Sequence, residues 1–210
     1  MVTDGLNPFT VLLFTGALLV GVALAALYVF ARITKREPLA RVSSRLLIGG
    51  VGVYLVLIVV GSLTSRSRVL TPGEEKHICE IDCHLAYSVA AATSESLPGG
   101  LVRQVVTVKV RFDEETISSR RSRTATLSPN RRYVALVDSD GNQYRGSAAG
   151  LMRELIPGQS YTTDIAFEVP MKATGLRLIL RNADPETLVI IGHENSLLHG
   201  GVTFSLPPET

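Results

Sequence analysis

The chain has 210 residues, of which 46% are hydrophobic, and its formal net charge is +2. Five of the 21 basic residues and two of the 19 acidic residues lie within residues 1–64, which leaves 16 basic and 17 acidic residues in the remainder. A nearly neutral remainder argues against nucleic-acid binding, which requires a cationic surface. The sequence also contains no Trp, the largest aromatic side chain for stacking on bases or sugars.

The N-terminal region predicts two membrane-spanning helices. After a tail at residues 1–8, residues 9–31 contain no charged side chain. At about 1.5 Å per residue they extend roughly 34 Å, which exceeds a hydrocarbon core of about 30 Å. Residues 46–64 form a second apolar run. We expect a transmembrane hairpin rather than a cleaved signal peptide, because the tail carries no basic residue.

The charge between the two predicted helices sets their orientation. Residues 32–45 form a predicted loop with a single acidic residue and five basic ones, which are Arg32, Lys35, Arg36, Arg41 and Arg45. Because short basic loops stay in the cytoplasm, the N-terminus and everything after the second helix should lie outside it. The prediction is a two-pass protein of the bacterial cytoplasmic (inner) membrane, with its C-terminal domain on the periplasmic or extracellular side.

The first helix carries a stripe of small residues. Ala17, Gly21 and Ala25 recur at four-residue spacing, which allows another helix to approach closely. The second helix is one candidate for this contact, and a partner subunit is the other.

A linker at residues 65–76 leads to a string that contains both cysteines, Cys79 and Cys83. An oxidising compartment favours a disulfide between them. The alternation from Cys79 to Val89 instead predicts a continuous strand, which would separate their Cα atoms by about 13 Å. A disulfide therefore requires a turn or bulge at residues 80–82. Alternatively, both cysteines are buried free thiols that pack as small apolar side chains.

Two further interpretations use Cys79, Cys83 and His84 to hold a cofactor. Cys-x-x-x-Cys-His is a lengthened form of the c-type haem signature, with His84 as the axial ligand. A copper or zinc site formed by the two cysteines and a histidine is the other interpretation. Two spans before such a motif look like subunit II of cytochrome oxidase. However, Tyr87 and Ala90 stand where that family has His and Met.

Residues 77–206 show the period-two alternation of half-buried strands. Seven or eight short strands are predicted, most clearly at 106–112, 133–137, 162–169, 176–181, 188–191 and 202–206. Pro-Gly, Asp-Gly and Asp-Pro turns separate them. No helical pattern long enough for a crossover between parallel strands is present. The fold class is therefore mainly β, an antiparallel β-sandwich preceded by a two-helix transmembrane hairpin.

One stretch resembles a known family. Residues 155–170 contain a Pro157-Gly158 turn and a strand that ends in Phe-x-Val-Pro, and a Leu-rich strand follows at 175–178. Together with the hairpin pattern at 133–144, this resembles the bacterial extracytoplasmic immunoglobulin-like domains of the mycobacterial immunogenic-antigen type. The resemblance covers most of residues 102–206. It implies an immunoglobulin-like sandwich outside the cytoplasm, and it implies no catalytic residues.

The remaining polar motifs indicate structure or binding rather than catalysis. His193-Glu194 with His199 lacks the spacing of the zinc-protease motif, and Asp138 to Asn142 is typical of a hairpin turn. A predicted loop carries clustered arginines, which are solvated or contact anionic lipid headgroups or an acidic partner: Arg120, Arg121, Arg123, Arg131 and Arg132.

These patterns predict a non-enzymatic binding or scaffolding module of the bacterial envelope. Its expected partners are the bilayer and other membrane or envelope proteins, with no nucleic acid and no cofactor. The alternative is a redox or metal- or haem-carrying accessory subunit that uses Cys79, Cys83 and His84.

Overall fold

Two N-terminal helices precede a two-sheet β-sandwich in a computed structural model that describes residues 2–3, 8–79 and 83–208. Helix α1 is Pro8–Ile33 and helix α2 is Glu37–Leu63. The two helices pack against each other, and each is long and apolar enough to cross a bilayer.

The connection between the helices is shorter than the loop predicted at residues 32–45. Lys35 has a left-handed backbone with a φ of 55°, which ends the helical path of α1. Helix α2 then begins at Glu37 rather than near residue 46. Pro38 has the fixed φ that suits a first helical turn, and the Glu37 carboxylate complements the helix dipole there. Most of the predicted loop is therefore helical.

The sandwich consists of two five-stranded sheets. In spatial order, sheet A contains β1 (Val2–Thr3), β3 (Lys76–Ile78), β4 (Leu85–Leu97), β5 (Leu101–Phe112) and β8 (Ser160–Pro170). Sheet B contains β2 (Arg68–Leu70), β10 (Val202–Ser205), β9 (Arg177–Asn182), β6 (Arg132–Val137) and β7 (Gln143–Arg145). Two pairs are parallel, β1 with β3 and β10 with β2, and the others are antiparallel. The predicted β-sandwich is confirmed.

The two parallel strands come from segments predicted to lie outside the domain. Residues 1–8 are predicted as a tail and residues 65–76 as a linker, yet they contribute β1 and β2. Leu70 of β2 is fully buried in the core, which explains why this segment joins the sandwich. Strands of two or three residues are too short for a visible alternation in the sequence.

The core lies between the sheets and is formed by alternate residues of the long strands. In β5, Val106, Val108, Val110 and Phe112 are buried, whereas the residues between them are partly exposed. Strands β8 and β9 show the same alternation, as predicted. The strand predicted at residues 188–191 is wrong. A 3-10 helix, Pro185–Val189, occupies this segment because the Asp184-Pro185 pair starts a helical turn.

The strand directions define two ends of the sandwich. Strand β1 leads into α1, and β3 runs parallel to it, so β3 points toward the helices. The helix-proximal end therefore holds the end of β3, the start of β4 and the end of β5. Strand β9 also ends there, since it is antiparallel to β10, which runs beside β2 away from α2. The turns near residues 98–100, 138–142 and 171–175 form the helix-distal end.

Candidate functional site

The two cysteines lie between the end of β3 and the start of β4, at the helix-proximal end. Strands β3 and β4 pair antiparallel, with Ile78 opposite Leu85, and the two cysteines lie between these strands in the sequence. Their Cα atoms are 4.0 Å apart, and Cys79 and Cys83 form a disulfide. The predicted continuous strand from Cys79 to Val89 is therefore wrong. The turn or bulge predicted at residues 80–82 lies outside the described residues.

Because Cys79 and Cys83 form this disulfide, neither sulfur is available as a free thiol, for haem attachment or as a metal ligand. The prediction of two buried free thiols is wrong, because Cys79 and Cys83 are bonded to each other. A haem thioether or a metal thiolate needs a sulfur that the disulfide occupies. His84 is buried, and its Nδ1 lies 2.6 Å from the Thr116 hydroxyl. Within residues 2–3, 8–79 and 83–208, no three His, Cys, Asp or Glu side chains are grouped as metal ligands.

A polar pocket of about 380 Å³ opens beside His84. Its lining residues are His84, Thr116, Ser118, Arg120 and Arg121. Phe112, the last residue of β5, positions two of these side chains. The His84 ring stacks on the Phe112 ring at 5.6 Å, and the Arg121 guanidinium lies 5.5 Å from the Phe112 ring centroid. The pocket thus combines two guanidinium groups with an imidazole and two hydroxyls, which suits an anion such as a phosphate.

The predicted arginine cluster divides into residues of different roles. Arg120 and Arg121 line the pocket. Arg123 is exposed and forms an ion pair with Glu114 at 3.2 Å. An exposed pair of this kind adds little stability and leaves the guanidinium accessible to solvent. The pocket arginines and Arg123 therefore form a basic surface at the helix-proximal end.

The other two arginines of the cluster lie at the start of strand β6. Arg131 is exposed. Arg132 is buried, its Nε donates to the Tyr87 hydroxyl at 3.1 Å, and its guanidinium lies 5.4 Å from the Tyr87 ring centroid. The Arg132 side chain thus spans the core from sheet B to sheet A. It is part of the packed interior rather than of a contact surface.

An ionic network lies beside the pocket on sheet A. The Arg111 guanidinium contacts the Glu75 carboxylate at 2.7 Å and the Asp113 carboxylate at 3.2 Å, and His77 Nε2 lies 3.0 Å from Asp113. Burial favours a higher pKa for Asp113, but hydrogen bonds from His77, the Glu115 N–H and Arg111 outweigh it and lower the pKa. The hydrogen bond from Arg111 also lowers the pKa of Glu75. Both carboxylates are therefore ionised and paired at neutral pH.

The predicted hairpin turn near Asp138 is confirmed, at the helix-distal end. Asp138 Oδ1 accepts from the backbone N–H groups of Asp140 and Asn142, and Oδ2 accepts from the Asn142 amide and the Tyr144 hydroxyl. These hydrogen bonds, led by that of the Asn142 side chain, lower the pKa of Asp138. Four donors thus occupy the Asp138 carboxylate within the turn.

A buried ion pair near the helix-proximal end was not predicted. Lys76 Nζ lies 2.6 Å and 2.7 Å from the two carboxylate oxygens of Glu194, and it also donates to the Leu180 carbonyl at 2.7 Å. The Lys76 and Glu194 side chains are 0% and 2% exposed. Because 118 residues separate the partners, no local spacing in the sequence could indicate the pair.

The small-residue stripe lies between the two helices. Ala17, Gly21 and Ala25 line an apolar cleft of about 570 Å³ together with residues of α2. A Cβ atom placed on Gly21 would meet no atom within 4 Å. The stripe thus faces α2 across an open cleft. Its assignment as a close packing contact stays a prediction.

Comparisons with known proteins return similarities of fold only. No protein-family model matches the chain, and no curated protein matches it. A secreted protein of Mycobacterium tuberculosis, MPT63, is 15% identical with a TM-score of 0.40, covering 65% of this chain and 97% of that protein. An uncharacterized β-sandwich protein of Clostridium difficile is 10% identical with a TM-score of 0.38, covering 68% and 96%. A conserved hypothetical protein of Bacillus anthracis is 15% identical with a TM-score of 0.33, covering 53% and 93%.

Proposed function

We propose that this chain is a two-pass membrane protein that holds an immunoglobulin-like, non-enzymatic binding or scaffolding module outside the bacterial cytoplasm. One observation carries the proposal. The most apolar stretch of α1 has no buried residue, and only 11% of that of α2 is buried. Large side chains such as Leu12 and Ile48 are more than two-thirds exposed, at 70% and 73%. Apolar surface of this extent is disfavoured in water and supports a location in the bilayer.

The basic residues favour one orientation. Arg32, Lys35 and Arg36 lie at the tip of the helix hairpin, away from the sandwich. Cytoplasmic retention of this tip would place the N-terminus and the sandwich together on the outer side. The disulfide of Cys79 and Cys83 supports the same orientation, since disulfides persist in oxidising compartments.

A labelling experiment on intact bacterial cells tests this topology. We expect Lys172→Cys, at the exposed helix-distal end, to react with a membrane-impermeant maleimide in cells with a permeable or absent outer membrane. We expect Lys35→Cys, at the exposed hairpin tip, to react only after the cytoplasmic membrane is opened. The physical reason is that the bilayer blocks a charged reagent from one face.

The unsubstituted chain is the matched control, because its two cysteines form a disulfide and should take no label. Reaction of Lys35→Cys in intact cells, or of Lys172→Cys only in opened cells, would contradict the proposed orientation. Loss of both variants from the membrane fraction would contradict the membrane anchor itself.

The pocket beside His84 is the proposed binding site. It opens at the helix-proximal end, so an anchored domain holds it near the membrane surface. Phosphate groups of anionic lipids are abundant there, and Arg120 and Arg121 provide the paired positive charges that bind them. We therefore propose an anionic phosphate-bearing headgroup as the ligand. The redox or metal-carrying alternative finds no support, since the disulfide occupies both sulfurs.

Arg120→Gln is expected to weaken binding of a short-chain phosphatidylglycerol to the full chain in neutral detergent. The loss of one basic residue near an anionic headgroup costs about 1 kcal/mol, roughly fivefold in affinity. Isothermal titration calorimetry measures this change. Arg103→Gln is the control, because Arg103 is an exposed arginine near the helix-distal end of β5.

If Arg120→Gln and Arg103→Gln bind the phosphatidylglycerol with equal affinity, the pocket is not the binding site. Titration with inorganic phosphate separates the two possible sources of the ligand. A fivefold effect with both probes indicates a phosphate site, and an effect with the lipid alone indicates a site for the whole headgroup. Binding of acidic proteins with no response to either probe would contradict a headgroup site.

A further inference from the structure

In the segment between β9 and β10, polar side chains are buried while several large apolar side chains are exposed. We name residues 185–199 of this segment the apolar wedge. Its central residues His193, Glu194, Asn195 and Ser196 are buried, at 0% to 9% exposure. Four of its large apolar side chains are instead exposed, at 55% for Leu188, 43% for Val189, 69% for Leu197 and 63% for Leu198, whereas Ile190 is buried. In water this arrangement is unfavourable, because polar groups lose hydration while apolar groups gain it.

The wedge runs beside helix α2. The Tyr54 hydroxyl donates a hydrogen bond of 2.8 Å to the Val189 carbonyl. A Cβ atom on Gly61 would lie 3.1 Å from the Ile191 side chain. Tyr54 and Gly61 are seven residues apart, so they share one helix face and are separated by about 10 Å along the axis. The wedge therefore follows α2 over two helical turns.

The contact with Tyr54 sets the depth of the wedge. Tyr54 lies nine residues before Leu63, the last residue of α2, which corresponds to about 14 Å. Helix α2 is about 40 Å long, whereas the hydrocarbon core is about 30 Å thick. Even if that core began at Glu37, it would extend to about residue 57. Tyr54 and the carbonyl bound to it thus lie within the hydrocarbon for any placement of α2 across the bilayer.

Part of the backbone of the wedge is hydrogen-bonded within the wedge itself. In a bilayer, backbone N–H and C=O groups need partners within the protein. Successive turns provide them here, from the His193 N–H to the Ile190 carbonyl, from the Ser196 N–H to the His193 carbonyl and from the His199 N–H to the Ser196 carbonyl. These three turns pair some of the wedge's backbone groups without water, as a bilayer environment favours.

Side-chain bonds fix the polar interior of the wedge to the sandwich. The Asn195 amide donates to the Asn182 carbonyl at 2.7 Å and to the Thr187 hydroxyl at 2.8 Å. Glu194 pairs with Lys76 of β3. These bonds hold the polar side chains inward, while Leu188, Leu197 and Leu198 lie on the outer face.

We propose that the apolar wedge is embedded among the acyl chains of the outer leaflet, beside α2. The sandwich is then partly immersed in the bilayer rather than suspended above it on a linker. The inference rests on the proposed membrane anchor. Its partner is lipid hydrocarbon, since the exposed wedge side chains are aliphatic and are continuous with the membrane-facing surface of α2.

Single-tryptophan variants test the wedge directly, because the chain contains no Trp. The variants Leu188→Trp and Leu197→Trp place one reporter each on the wedge. Leu19→Trp, at an exposed position of α1, reports on the helix hairpin, and Met171→Trp reports on the helix-distal end. Each full-length variant is reconstituted into vesicles of ordinary phosphatidylcholine and into vesicles of phosphatidylcholine whose acyl chains carry bromine at their middle positions. Brominated chains quench only a tryptophan that contacts them.

We expect Leu188→Trp, Leu197→Trp and Leu19→Trp to lose most of their fluorescence in brominated vesicles, whereas Met171→Trp keeps its fluorescence. Quenching of Leu19→Trp without quenching of either wedge variant would overturn the wedge and leave the anchor intact. Blue-shifted but unquenched wedge tryptophans would show a protein cover, which also overturns it. No quenching at Leu19→Trp would overturn the membrane anchor and with it the wedge.

Discussion

Replacing Glu194 with Gln is expected to destabilise the sandwich by about 3–5 kcal/mol, because it leaves the Lys76 ammonium buried without its counter-charge. Both side chains of the native pair are almost completely buried, so water cannot replace the lost carboxylate. For a domain of this size the change corresponds to a melting temperature lower by about 10 °C. Thermal unfolding of the full chain in detergent, followed by circular dichroism of the β-sheet, measures it.

The double variant Lys76→Met with Glu194→Leu is the matched control. It removes both charges together, so neither is left buried alone, and we expect it to recover most of the lost stability. If Glu194→Gln unfolds within about 0.5 kcal/mol of the native chain, the range of an ordinary surface substitution, the ion pair is not a stabilising element. A double variant as unstable as the single one would show that the loss arises from packing instead.

Phe112→Ala is expected to cost about 3–5 kcal/mol of stability, since it deletes a fully buried ring from the end of β5 and leaves a cavity. Phe112→Leu retains most of the volume and should cost less. It nevertheless removes the ring on which His84 stacks and over which the Arg121 guanidinium lies. We therefore expect Phe112→Leu to remain folded and to bind short-chain phosphatidylglycerol more weakly.

Phe204→Leu provides the comparison for this effect. Phe204 is equally buried, in β10, and its neighbours are residues of the core rather than of the pocket. Chemical unfolding and calorimetric titration of both leucine variants separate the two contributions. A similar loss of lipid affinity in Phe204→Leu would show that binding follows overall stability and does not depend on the Phe112 ring.

Strands could be predicted from the sequence where they are long and have one apolar and one polar face. Strands β5 and β8 are long, pair with each other and alternate strictly between the core and the partly exposed face. The short edge strands β1 and β2 carry no such pattern, and only their pairing with distant residues makes them strands. The start of α2 was missed because charged residues in its first turns resemble a polar loop.

The candidate site was predictable only in part, for a related reason. The sequence indicates Arg120 and Arg121 as a basic cluster, and the fold adds His84 and Thr116 from other elements. Arg132 belongs to the same cluster in sequence, but the start of β6 turns it into the core toward Tyr87. Whether a side chain of a charged run faces water or the interior depends on the register of the following strand. Composition alone does not encode that register.

The attachment of the helices to the sheets has a mechanical consequence. Four residues separate β1 of sheet A from α1, and four separate α2 from β2 of sheet B. Each helix is thus joined to a different sheet by a short stretch of sequence, which spans at most about 14 Å. If one helix slides or tilts against the other, sheet A is pushed along sheet B. The close-packed core between the sheets resists this displacement, so the sandwich couples the motions of the two helices.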